Sequence, residues 1–143
     1  MNNESFDKLV KKASPDSPIA LDCLKAFVVG GLICVLGEFL SEMYMKMGLD
    51  KESASSWVSV SLVFLSSLLT GLGLYSKLGK FAGAGSFVPI TGFSNAVTAP
   101  AIEFKKEGYI LGVGSKIFLL AGPVILFGTL TSCVVGIIYW LMN

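Results

Sequence analysis

The sequence has no histidine, and all eleven of its cationic side chains are lysines. Without His, the commonest general acid/base and metal ligand at neutral pH is missing. Charge is scarce as well: Asp, Glu and Lys together make up 15% of the chain, where a soluble domain carries about 25%. A net charge of +1 supplies no basic patch or stripe for nucleic acid. The three cysteines, Cys23, Cys34 and Cys133, have no C-x-x-C spacing and cannot all pair within one chain. Each lies in or beside an apolar run and reads as a small buried hydrophobe.

Catalytic and cofactor fingerprints are missing too. The glycine pairs at 71/73, 83/85 and 112/114 lack the remaining spacing of a P-loop or dinucleotide-binding turn. Gly92-Phe-Ser94-Asn-Ala has the outline of a serine nucleophile turn, but a serine needs a base to take its proton and no His is available. No carboxylates pair at a spacing that would hold a hard cation. An enzyme, a resident metal and a cofactor are therefore not expected.

What the chain does contain is apolar surface and glycine: 53% of its residues are hydrophobic and 16 of 143 are Gly. Glycine in apolar segments lets membrane helices approach closely. Residues 1–22 form a polar tail with Pro15 and Pro18, no A-x-A-like cleavage site follows, and the first apolar segment is expected to be retained. Residues 23–143 then read as one transmembrane domain.

The first span is predicted over about 24–47. Only 12 uncharged residues separate Lys25 from Glu38, which places those charges roughly 20 Å apart along a helix. Against a hydrocarbon core of about 30 Å, one or both must snorkel or face protein. Residues 48–56 read as an exposed loop. A second span is predicted over 57–76, with Trp57 and Tyr75 at its two interfaces.

Residues 81–102 (FAGAGSFVPITGFSNAVTAPAI) are uncharged, yet they hold Gly83, Gly85, Gly92, Pro89 and Pro100 beside Ser86, Thr91, Ser94, Asn95 and Thr98. Gly costs a helix about 1 kcal/mol and Pro about 3 relative to Ala. Broken backbone at membrane depth survives only where protein or a watery cavity borders it. The stretch is read as a re-entrant or discontinuous helix pair, a plain fourth span being the alternative. After the charged hinge Glu103–Glu107, residues 109–115 read as a separate interfacial piece and 116–141 as the last span, with Tyr139 and Trp140 at its far end. The fold class predicted is thus an all-α integral membrane protein with about three full spans plus a Gly/Pro-broken element.

Lys25-Ala-Phe27-Val-Val-Gly-Gly31 and its continuation to Gly37 align with Lys116-Ile-Phe118-Leu-Leu-Ala-Gly122-Pro123 and its continuation to Gly128. Matched helices packing through Gly31 and Gly122 follow if the echo is real. Lysine counts beside the spans place the N-terminus in the cytoplasm, and they favour re-entry of 81–102 over a full crossing. Broken helices expose free N–H and C=O groups, and their N-termini favour anions. Ser86, Thr91, Asn95 and Thr98 are therefore candidates for a solute path, with Lys25 and Lys116 adding positive potential at a mouth. The competing readings are snorkelling for the lysines and plain close packing for the small residues.

The run FAGAGSFVPITGFSNAVTAPAIEFKKEGYILGVGSKIF at 81–118, with KAFVVGGLICVLGE upstream and LAGPVILFG downstream, closely resembles the stage V sporulation protein AC family. The sister AE family is similar in the GGLIC, FAGAG and VPIT portions but lacks the polar tail and the EFKKEG–ILGVGSK portion in this form. The resemblance implies a subunit of the channel in the spore inner membrane that carries dipicolinic acid inward and releases it with calcium. It also implies tension-responsive gating, and partnership with an AE-type membrane subunit and a soluble AD-type protein. It transfers no set of pore residues.

Overall fold

A computed structural model describes residues 18–142, and the polar tail before them lies outside the described residues. The described chain is helical throughout. Helix α1 spans Ile19–Lys46, α2 Lys51–Gly71, α3 Tyr75–Ala82, α4 Ala84–Phe87 and α5 Ile90–Glu103. A 3-10 turn, Phe104–Glu107, leads to a π-helical segment, Tyr109–Gly114, that runs directly into α6, Ser115–Met142. Among the described residues, three helices are long and apolar enough to cross a bilayer: Ile19–Lys46, Lys51–Gly71 and the fused Tyr109–Met142. The protein is an all-α membrane protein.

The helix bounds depart from the sequence reading in four places. The loop between α1 and α2 is Met47–Asp50 rather than 48–56, because Asp50 caps α2 from its first turn. Its carboxylate accepts from the backbone N–H of Glu52 at 3.2 Å and of Ser53 at 3.1 Å. Helix α2 ends at Gly71, so Tyr75 belongs to α3 and is buried instead of marking an interface. Pro100, read as part of the broken stretch, lies inside α5 without ending it, whereas Pro123 lies inside α6 as the predicted 116–141 span has it; each removes one N–H, which a membrane helix tolerates when the freed carbonyl finds another partner. Residues 109–115 are not a separate piece, because widened π turns carry the helix through Gly112 and Gly114.

The chain reverses where glycine permits it: Gly48, Gly73, Gly83 and Gly108 are the positive-φ residues, and no other residue type among those described has a positive φ. Gly83, at φ 52 and ψ −126, makes the bend between α3 and α4. A side chain there would be strained, since L residues with a Cβ rarely adopt that backbone. Helices α1 and α2 pack through Tyr44, whose hydroxyl is 2.7 Å from Ser61 Oγ, and through Gly37, which lies against Leu62 and Val58.

The Asp50 cap yields a first prediction. The Ser53 side-chain hydroxyl, followed by backbone N–H groups, holds its carboxyl below the usual value of 3.8. A lowered folded-state pKa means that the cap contributes above pH 3.8 and is lost as acid titrates the carboxylate. Asp50→Ala is expected to fray the first turn at neutral pH, read as lower amide-exchange protection at Glu52 and Ser53 with the α2–α5 contact intact.

Candidate functional site

The stretch predicted to be broken is broken twice, at Gly83 and at Val88-Pro89. Between those breaks α4 folds back on α3 as a tight elbow. The Tyr75 hydroxyl donates to Ser86 O at 2.7 Å, Ser86 Oγ donates to Gly83 O at 3.0 Å, and the Phe87 ring rests on Gly79. The elbow inserts against α1. Gly85 lies so close that a Cβ would overlap the Ala26 carbonyl oxygen and come within 2.7 Å of its Cα. Only a hydrogen on that face lets the two backbones meet.

Pro89, extended at ψ 168, starts α5. From there α5 lies across α2 with a polar face inward. Thr91, Ser94, Asn95 and Thr98 recur at three- and four-residue spacing, so they share one side of the helix. Ser66, Ser67 and Thr70 of α2 meet them. Ser66 Oγ donates to Thr91 O at 2.5 Å, and Thr70 Oγ1 lies 2.8 Å from Ser66 O and 2.9 Å from Asn95 Oδ1.

The proton order in the rest of this seam is fixed. Ser94 donates to Val63 O at 2.9 Å, so its oxygen accepts from Ser67 at 2.9 Å, and Ser67 accepts from Thr98 at 3.0 Å. Each hydroxyl has one proton to give. Among the described residues, Thr91 Oγ1 is the buried side-chain polar atom left with no partner.

The two candidate lysines sit at opposite sequence ends of the broken element, each over a phenylalanine. Lys25 Nζ is 5.6 Å from the Phe81 ring centre and 3.6 Å from Asp22 Oδ1; Lys116 Nζ is 4.7 Å from the Phe104 ring centre. Both contacts lie within the range where a ring face attracts a cation. Lys25 adjoins a cleft of about 360 Å³ between the start of α1 and the elbow, lined by Asp22, Cys23, Lys80, Phe81 and Gly83 among others.

The chain thus brings Thr91, Asn95 and Thr98 together on one seam, keeps Ser86 in the elbow, and places the lysines at the flanks. Among the described residues, and apart from their own helix turns, nothing lies within 4 Å of where a Cβ would sit at Gly31 or Gly122; it is Gly30 that faces Gly85, whose carbonyl oxygen would be 3.4 Å from a Cβ placed there. Cys23, Cys34 and Cys133 are exposed rather than buried among the described residues.

Ser66, Ser67 and Thr70 emerge only from the folded chain. Length and lack of charge identify α2 as a span and say nothing of its hydroxyls. The available signal is their spacing, which repeats that of the α5 set.

Residues 22–138 match the protein family described as SpoVAC/SpoVAEB sporulation membrane protein. Over 136 residues the chain is 43% identical to stage V sporulation protein AC of Bacillus subtilis (strain 168), an alignment covering 94% of this chain and 91% of that protein. No solved structure matches the chain.

Proposed function

The chain belongs to the SpoVAC/SpoVAEB sporulation membrane protein family, and from that premise we propose that it is a channel subunit for dipicolinic acid in the spore inner membrane. In this reading dipicolinate moves inward during sporulation and leaves with calcium on germination, through a path that membrane tension opens. The observation that carries the reading is the doubly broken 81–102 segment, whose polar side chains lie among three apolar spans. Backbone of that kind persists in a bilayer where it borders protein or a hydrated route. Lys25, Ser86, Thr91, Asn95, Thr98 and Lys116 are the proposed solute-path residues, and Gly83, Gly85, Pro89, Gly92 and Pro100 shape the element that carries them.

Dipicolinate is a planar dianion and needs a wide polar path with positive potential. Three spans from one chain do not enclose such a path. The subunit therefore works as a homo-oligomer, or with an AE-type membrane partner and an AD-type soluble partner, its N-terminus in the cytoplasm and 81–102 re-entering from that side. A non-conducting scaffold that recruits the same partners is the second reading, favoured by the bare surface of α6 beyond Ala121.

Liposomes loaded with pyridine-2,6-dicarboxylate separate the two. Purified protein, alone or with the AE-type subunit, is expected to release the dianion to external terbium, whose luminescence reports it. Release from neither preparation, with insertion verified, leaves the scaffold reading.

A further inference from the structure

We propose that the hydroxyl-bearing face of α2 lines the permeation route, and that α5 closes that route in this structure by pairing with its inner half. The inference rests on the conduction reading above and adds a wall to it. On α2, Ser56, Ser59, Ser66, Ser67 and Thr70 fall within one 100° sector, since each residue turns the helix by about 100°. Val63 interrupts the stripe, and Ser61 lies on the other side of the helix, where it meets Tyr44 of α1; a run of hydroxyls along one side of an apolar span is the pattern of a helix that faces water inside a membrane.

Helix α5 covers only part of this stripe. Ser66, Ser67 and Thr70 are paired with it. Ser56, exposed, and Ser59, half-buried, make no hydrogen bond to it and donate to their own helix carbonyls at 3.2 and 3.1 Å. A cavity of about 310 Å³ opens at that outer end, lined by Ser53, Ser56, Trp57 and Val60. The stripe therefore runs from an open end to a sealed one.

Three features mark the sealed end as able to part. Its cross-links are hydroxyl and amide bonds, which exchange one for one with water, and interhelical bonds of this type average about 0.6 kcal/mol in membranes. Thr91 Oγ1 has no partner while the seam is closed, so hydration satisfies a group that closure leaves unpaired. Finally, α5 is bounded by the Pro89 break and by the 3-10 turn ending at Gly108, φ 95, so it can shift as a unit. Were the seam only glue, neither the exposed serines in line with it nor the orphaned hydroxyl would follow.

The test is a reversible lock. With the native cysteines replaced, Ser67→Cys and Ser94→Cys put two sulfurs where two oxygens lie 2.9 Å apart. Dipicolinate release from liposomes is expected to fall to the level of protein-free vesicles on oxidation and to return with reductant. Unchanged release from the oxidised, verified disulfide overturns the inference while leaving conduction intact; no release from the reduced protein removes the conduction reading and this inference with it. A second variant avoids any packing change. Ser59→Cys, treated with a charged aqueous thiol reagent, is expected to lose flux, and Leu65→Cys on the opposite face is expected to keep it. Equal responses at 59 and 65 overturn the assignment of the α2 face.

Discussion

Gly85→Ala is expected to destabilise the membrane domain by roughly 2–3 kcal/mol, the range of overpacking in a close-packed site. Helix propensity alone argues the opposite, since Gly→Ala in a helix is worth about 1 kcal/mol in favour of Ala. Packing wins here because the atoms in the way are the carbonyl oxygen, Cα and carbonyl carbon of Ala26. They belong to the backbone of α1 and cannot rotate aside as a side chain does. Gly31→Ala is the internal control: nothing lies within 4 Å of its would-be Cβ, so propensity acts unopposed and stability holds or rises slightly. Thermal unfolding of both variants in one detergent reads the contrast. Equal melting temperatures would mean that α4 does not seat against α1 as described.

Charge reversal at Lys25 should cost dipicolinate flux about an order of magnitude with insertion unchanged. Replacing +1 by −1 about 8 Å from a dianion raises its energy by roughly 2 kcal/mol even at the dielectric of water, before salt screening. Lys25→Glu acts locally as well. It sets a carboxylate beside Asp22, which now lies 3.6 Å from the ammonium, and over the negative face of the Phe81 ring. Lys116→Glu meets the ring of Phe104 in the same way. Lys25→Gln separates field from contact, since it removes the charge without introducing a repulsive one and should fall between the two. Normal flux through both reversed variants counts against either lysine facing the path.

The three long helices were legible because they depend on a property of whole segments, namely apolar length. The breaks around Gly83 and Pro89 were legible for a similar local reason: glycine opens backbone conformations closed to other residues, and proline fixes φ and removes an N–H. Pro100 shows the limit of that inference. The residue is as poor a helix former as Pro89, but α5 runs through it because neighbouring helices hold both sides in place. Tyr75 shows another. An aromatic at the end of an apolar run reads as an interface anchor, and only the fold-back of α4 supplies the Ser86 carbonyl that buries it. The candidate site divides the same way. The α5 polar set stands out in sequence because it sits in a conspicuous stretch, whereas its α2 counterparts become visible only when the two helices are laid together. Which of two adjacent glycines, Gly30 or Gly31, meets the elbow is a matter of helix rotation, and rotation is set by partners.

Beyond Ala121, α6 has no buried residue among those described: residues 123–142 are exposed along their whole length. Twenty residues make a rod of about 30 Å, the thickness of the hydrocarbon layer. Such an outrigger adds no buried residue to the described part of its own subunit. Its orientation is therefore open to acyl chains or adjoining protein, and thinning the bilayer would tilt it. Torque it receives reaches the rest of the molecule through the partly buried first turns of α6, which pack on α5, and through the π-helical turns and hinge that join the two.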